Sequence, residues 1–131
     1  MPLAYDNTDS PYYSEVSRTW ESTQNWTDHG ADMLRLFFRG EADNAADRLY
    51  LRVEDSTGHV ASVTHPDANA VLATEWGSWV VPFTEFSAAD VDLTSVKTLH
   101  LGVGDRNDPT PMGSGMIYID DIEIGRARAS E

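Results

Sequence analysis

Four residues in two short stretches carry most of the chemistry this sequence could perform: Tyr50, Arg52 and Glu54 in RLYLRVED, and His100 in KTLHLGVGD. Tyr and His exchange protons, Arg presents a planar fork of donors, and Glu accepts from hydroxyls. Arg35 and Phe37 in MLRLFFRG add a further cation and ring, and Trp76 lies just ahead of GSWVVPF. Aromatic rings cover the apolar face of a pyranose while Arg and Glu hydrogen-bond its hydroxyls, so this mixture predicts a sugar-binding surface. The competing reading is a solvated sheet face whose long side chains form cross-strand pairs. Tyr50, Arg52 and His100 also match the needs of proton abstraction next to a uronate, with Arg neutralising the carboxylate and Tyr or His moving protons.

A second constellation closes the chain. In MIYIDDIEIG, Ile117 and Ile119 are in phase, Ile122 and Ile124 are one residue out of phase with them, and Asp120 and Asp121 stand between. That break predicts a β-bulge, which re-aims side chains and exposes carbonyl oxygens. Ca²⁺ takes six to eight oxygen ligands, and two carboxylates on a bulge can supply several; a solvated bulge at a sheet edge is the alternative. The loop GDRNDPTPMGSG gathers Asp105, Asn107 and Asp108 among glycines, but it lacks the spacing and final Glu of an EF-hand and reads as a turn-rich connection. NWT at Asn25 is a glycosylation sequon, meaningful in a eukaryotic secretory pathway. There is no GxSxG elbow, HExxH helix or phosphate loop, and the four histidines have no metal-ligand spacing.

The elements that must position these groups are strands. Leu34, Leu36 and Phe38 alternate with Arg35, Phe37 and Arg39; Leu49, Leu51 and Val53 with Tyr50, Arg52 and Glu54; Leu99, Leu101 and Val103 with His100, Gly102 and Gly104. The leucine-rich phase is the expected core, with Trp79, Val81 and Ile119, and the opposite phase is expected to be exposed. HVASVTH follows through the tight turn DSTG, and Pro82 suggests that WGSWVVPF runs along an edge. PLAY and YYSEVSRTW read as strands separated by DNTDSP. Helix is confined to a turn or two in DANAVLAT, where Asp67 could cap, and in TEFSAADVD. Of the remaining tryptophans, Trp20 and Trp26 fall near strand ends, as sugar platforms or as partly buried covers for the core. Seven or eight short strands with turn-rich connections predict an all-β, antiparallel β-sandwich in one domain spanning residues 1–131.

Composition narrows the partners. A formal net charge of −13 disfavours nucleic acid and anionic lipid, because the diffuse negative field repels polyanions before contact. No apolar run reaches the length of a membrane span, so membrane insertion is not expected. The absence of cysteine rules out disulfides and thiolate metal sites. MPLAYDNTDS has neither the basic start nor the apolar core of a signal peptide, so an export signal would lie outside this chain.

The series DMLRLFFRG, LYLRVEDSTGHV, WGSWVVPFTEF, VDLTSVKTLHLGVGD and GMIYIDDIEI resembles the jelly-roll carbohydrate-binding modules of galactose-binding-like fold that accompany extracellular polysaccharide-degrading proteins. The resemblance covers roughly Met33 to Ile124. It implies a non-catalytic module that binds a polysaccharide, targets an attached enzyme to it, and works outside the cell within a larger multidomain protein. It also implies a structural Ca²⁺ on Asp120, with further ligands from the N-terminal strand region, where Asp6 and Asn7 stand. The family pattern commonly begins with an acidic strand upstream of the stretch matching MPLAYDN, so the domain is expected to lack an upstream strand of its parent. The resemblance leaves two alternatives: a small jelly-roll polysaccharide lyase or glycosidase using Tyr50, Arg52 and His100, and a structural sandwich of a cell-surface protein.

Overall fold

Period-two alternation dictates the architecture. A computed structural model describes residues 2–8, 12–27, 30–67, 69–105 and 112–125, with only the backbone of Asp121. Its strands are β1 (Pro2–Asp6), β2 (Tyr13–Gln24), β3 (Met33–Arg39), β4 (Leu49–Asp55), β5 (Val60–Thr64), β6 (Gly77–Pro82), β7 (Val96–Gly104) and β8 (Ser114–Gly125). They form two four-stranded sheets, ordered β1-β8-β3-β6 and β2-β7-β4-β5, with every pairing antiparallel. All consecutive strands except β4 and β5 change sheet, and that order is a jelly-roll, as the family resemblance implies. Pro82 ends β6 on an edge, where its missing N–H costs no ladder bond.

The apolar phases meet between the sheets. Leu36, Leu51, Trp79, Val81, Leu101 and Ile119 are all buried there, joined by Tyr5, Leu34, Val53 and Ile117. One end is closed by a run of rings: Trp20 meets Trp26 edge-on at 6.3 Å, Trp26 stacks on Phe83 at 6.2 Å, and Phe83 lies 6.2 Å from Phe86. Trp26 is thus a core cover. Phe86 rides on the short α1 (Thr84–Ser87), which plugs the sandwich with that one side chain. DANAVLAT supplies a 3₁₀ turn at Ala70–Leu72; Asp67 accepts the Asn69 N–H at 2.9 Å just before it and so shapes the approach to the turn.

The turn after β4 is fixed by a buried carboxylate. Asp55 accepts N–H bonds from Thr57, His59 and Asp92 at 2.9, 3.0 and 2.8 Å and the Thr57 hydroxyl at 2.7 Å. Burial alone would raise this carboxyl, but those four bonds outweigh it and hold it well below the usual carboxylate range. The predicted bulge is present: Arg35 pairs with Glu123 and Phe37 with Asp120, so β8 spends three steps where β3 spends two.

Candidate functional site

The register of the β2-β7-β4-β5 sheet arranges its outer face in rows. One row runs Glu15, Gly102, Tyr50, Thr64; the next Ser17, His100, Arg52, Ser62; the third Thr19, Thr98, Glu54, Val60. Four strands at roughly 4.8 Å spacing and three rows make a platform about 14 Å on a side. Arg52 and His100 are direct cross-strand partners, and Tyr50 sits one row away.

Glycine at 102 lets these groups converge. A Cβ there would come within 2.5 Å of the Tyr50 hydroxyl and 2.6 Å of its Cζ, so the Tyr50 ring lies flat over the bare Gly102 backbone. From there its hydroxyl donates to Glu15 Oε2 at 2.5 Å. Glu15 Oε1 stands 3.1 Å from His100 Nδ1, a close contact that is not aligned as a hydrogen bond. His100 Nε2 lies 3.8 Å from Glu54 Oε2. The result is a chain of side chains, Tyr50, Glu15, His100 and Glu54, with Arg52 beside it. Arg52 Nε is shut off from water and has no acceptor among the described residues.

The expected exposure fails at Tyr50, Gly102 and Gly104, all of them buried. Tyr50 is 3% exposed, because the space left by Gly102 swallows its ring. Two residues of this face escaped the sequence reading. Glu15 links Tyr50 to His100, and Tyr13 is half-buried on the same side, opposite Gly104. The phase of β2 is blurred, since its inner positions run Ser14, Val16, Arg18 and Trp20, with Arg18 folded over the Trp20 ring at 5.5 Å.

Arg35, Phe37 and Trp76 do not join that face. They project from the outer face of the other sheet, on the far side of the core, so the seven expected ligand-binding residues divide into two surfaces. There Arg35 pairs with Glu123 and lies over Phe37 at 5.5 Å. Arg39 stands over Tyr118 at 4.6 Å and over Trp76 at 5.8 Å.

The expected calcium ligands are not gathered either. Asp6 pairs with Ser114, six residues along β8 from Asp120, a separation of about 20 Å. The Asp6 carboxylate accepts both the hydroxyl and the N–H of Thr8, which hold it below its ordinary range. Asn7 is fully buried; its amide donates to Asp47 at 2.6 Å and to the Val103 carbonyl at 3.1 Å, and its Oδ1 accepts from Ser14. Asn7 is therefore a structural clamp. Beside it, the Tyr5 hydroxyl is pushed up to about 12, by burial first and the Asp47 charge second. As a set Asp6, Asn7 and Asp120 do not fit one Ca²⁺, and among the described residues no three His, Asp or Glu side chains form a metal-sized cluster. Asn107 and Asp108 lie outside the described residues.

A cavity of about 440 Å³ opens between β2 and the last turn of β8, lined by Trp20, Trp26, Leu99, Ile122 and Ile124. Among its described lining residues none is charged, and the amides of Gln24 and Asn25 stand at the edge of a mostly apolar wall, a poorer complement to a hydroxyl-rich sugar than the charged outer face. Asn25 on its rim is occupied in the turn, its Oδ1 accepting from the N–H and hydroxyl of Thr27.

Among solved structures, the chain is similar to an exo-β-agarase (16% identity, TM-score 0.69) and to the agarase AgWH50C (12%, 0.68). It is also similar to the family 11 carbohydrate-binding module from Clostridium thermocellum, seen in complex with a β-1,3-1,4-mixed-linked tetrasaccharide (12%, 0.59). The fold is that of the jelly-roll carbohydrate-binding modules. Each likeness covers 97% of this chain; it covers 84% of the Clostridium module but only 20% and 22% of the two agarases. The chain thus spans about a fifth of the agarases it matches. No protein-family model and no curated protein sequence matches it. Among the described residues no helix is long and apolar enough to cross a membrane.

Proposed function

We propose that this domain is a non-catalytic carbohydrate-binding module, working outside the cell, that docks a polysaccharide on the outer face of the β2-β7-β4-β5 sheet. The observation that carries the reading is the cluster of Tyr50, Glu15, His100 and Glu54 with Arg52 at its side, in which Tyr50 is hydrogen-bonded to Glu15 and His100 lies between the Glu15 and Glu54 carboxylates. Carboxylate oxygens accept from sugar hydroxyls and the Arg52 guanidinium donates to their oxygens. Holding these groups in place before the ligand arrives lowers the ordering cost of binding. Half-buried Tyr13 supplies the aromatic contact, while buried Tyr50 orders the face from beneath. Affinity is modest, since a shallow face gains contacts while the sugar gives up well-solvated hydroxyls.

The lyase alternative is disfavoured by the same geometry. A catalytic Tyr must present its hydroxyl to the substrate, whereas the Tyr50 hydroxyl is spent on Glu15 beneath a nearly closed surface. The match to one fifth of each agarase supports a role as one domain of a longer, polysaccharide-directed protein. Arg52→Ala and Glu15→Gln are each expected to weaken binding of agarose-derived oligosaccharides or of a β-1,3-1,4-linked tetrasaccharide about tenfold, with no new reducing or unsaturated ends in the wild type. Wild-type affinity in both variants refutes the site; cleavage products that vanish in Tyr50→Phe refute the non-catalytic reading.

A further inference from the structure

We propose that the outer face of the opposite sheet is a second sugar-binding surface, centred on Trp76, Arg39 and Tyr118, so that one domain holds two polysaccharide chains. The register sets Tyr118 directly beside Arg39, with Phe37 beside Asp120 and Ser78 in the next row and Arg35 beside Glu123 and Val80 in the third. Trp76 immediately precedes Gly77, the β6 partner of Phe38, and so falls alongside Arg39. Its indole is 51% exposed and plays no part in the core.

Arg39 shows what this surface is made to meet. Its guanidinium is flanked by two rings, at 4.6 Å from Tyr118 and 5.8 Å from Trp76, within the range of cation–π attraction. That clamp fixes a donor group whose charge is not matched by any ion pair among the described residues. Its Nε is closed to water and so to a ligand as well, which leaves the terminal NH₂ groups of the guanidinium as the donors this face offers. Next to this donor stands an acceptor: Glu41 Oε1 lies 3.4 Å from the Tyr118 hydroxyl. A flat apolar surface, a fixed donor and a nearby acceptor are the complement of a pyranose, apolar on one face and ringed by hydroxyls.

Charge selects a neutral sugar. Arg35 and Arg39 share the face with Glu41, Asp120 and Glu123, on a chain of net charge −13. A sulfated or uronate polymer meets no net positive field here and is repelled at long range. The two surfaces lie on opposite sides of a sandwich whose sheets are about 10 Å apart, so one extended sugar chain cannot lie on both. Two chains bound back to back are cross-linked.

The ligand class rests on the carbohydrate reading above, and the experiment separates the two surfaces. Agarose-derived oligosaccharides and a β-1,3-1,4-linked tetrasaccharide are titrated into wild type, Trp76→Ala, Arg52→Ala and the double variant, with stoichiometry read by native mass spectrometry and the Trp76 indole N–H followed by NMR. At a ligand concentration about threefold above the wild-type Kd, two ligands are expected to predominate on wild type, one on each single variant and none on the double, because Trp76→Ala weakens its own site about tenfold, the size of one lost stacking contact. Melting curves and the monomer size should be unchanged in Trp76→Ala, because the indole is exposed. Unchanged stoichiometry in Trp76→Ala, or a Trp76 signal unmoved at saturation, overturns the second surface. Two ligands retained in Arg52→Ala would instead sink the first surface alone. A self-association of wild type that Trp76→Ala abolishes assigns the face to a protein contact and overturns the proposal, as does binding of neither probe.

Discussion

Gly102→Ala adds a single methyl to the centre of the proposed site, and the structure dictates where its cost arises. Gly102 does not use the left-handed backbone region reserved for glycine, so alanine is conformationally acceptable there and reduces unfolded-chain entropy, a gain of about 0.4–1 kcal/mol. Against this, the new Cβ would lie 2.5 Å from the Tyr50 hydroxyl, 2.6 Å from its Cζ and 2.7 Å from the Ser14 carbonyl oxygen. The ring must shift by roughly 1 Å to restore van der Waals contact, which pulls its hydroxyl away from Glu15. Overpacking of this kind costs about 1–3 kcal/mol, and a hydrogen bond to a charged acceptor contributes about 1.5–3 kcal/mol more. Net destabilisation of about 1.5–5.5 kcal/mol is expected after the entropy gain. Urea denaturation measures it, and a double-mutant cycle with Tyr50→Ala isolates its origin. In the Tyr50→Ala background the added methyl should be cheaper by about 1–2 kcal/mol, though not free, because the Ser14 carbonyl remains. A cost below about 0.5 kcal/mol in wild type, or the same cost in both backgrounds, would refute the reasoning that Tyr50 occupies the space glycine leaves.

Asp55→Asn should destabilise by about 1.5–3 kcal/mol in urea denaturation, since one amide face would point a donor at a donor and the Asp92 N–H loses its charged acceptor in a partly buried turn. Because the folded-state carboxyl is held below its ordinary value of 3.8, its contribution is fully present above that pH and is lost as pH falls through and below it; the acid limb of wild-type stability should therefore flatten in Asp55→Asn, and parallel acid limbs would refute this. With Asp6 and Asn7 committed elsewhere, saturating calcium and chelator should give coincident melting curves; a calcium-dependent rise that Asp120→Ala abolishes would show that bulge carbonyls complete a cation shell around Asp120 without them.

The legible parts of this molecule are those governed by strand period. Leu34, Leu36 and Phe38 against Arg35, Phe37 and Arg39 specify a half-buried strand without reference to anything distant, and the same holds for β4 and β7. The bulge at Asp120 was legible for a related reason, since inserting one residue shifts the phase of every residue after it. Strand order is a different kind of information. Arg35 and Arg52 are both outward residues of inner strands, and period alone cannot say that one belongs to β3 of one sheet and the other to β4 of the other. A single candidate surface therefore became two. Likewise Asp6 and Asp120 share neighbouring strands, but their separation along those strands depends on register, which no local pattern encodes.

The site itself depends on such a nonlocal fact. Tyr50, Glu15 and Gly102 come from β4, β2 and β7, and each is ordinary by itself: an outward tyrosine, an acid on a blurred strand, a glycine in a strand. Only pairing reveals that the glycine stands between the other two and that the tyrosine crosses it to reach the acid. A glycine inside a strand weakens it unless another group fills the space it vacates. Here the filler is also the group that fixes Glu15 against His100, so the local loss of β-propensity at Gly102 is the structural condition for an ordered polar face. The opposite sheet reaches order by another route, with Arg39 clamped between the rings of Tyr118 and Trp76. Two faces built from different devices need not share a ligand, so selectivity should be separable by mutation: changes at Gly102 act on the first face through Tyr50, and changes at Trp76 leave it untouched, since the packed core lies between them.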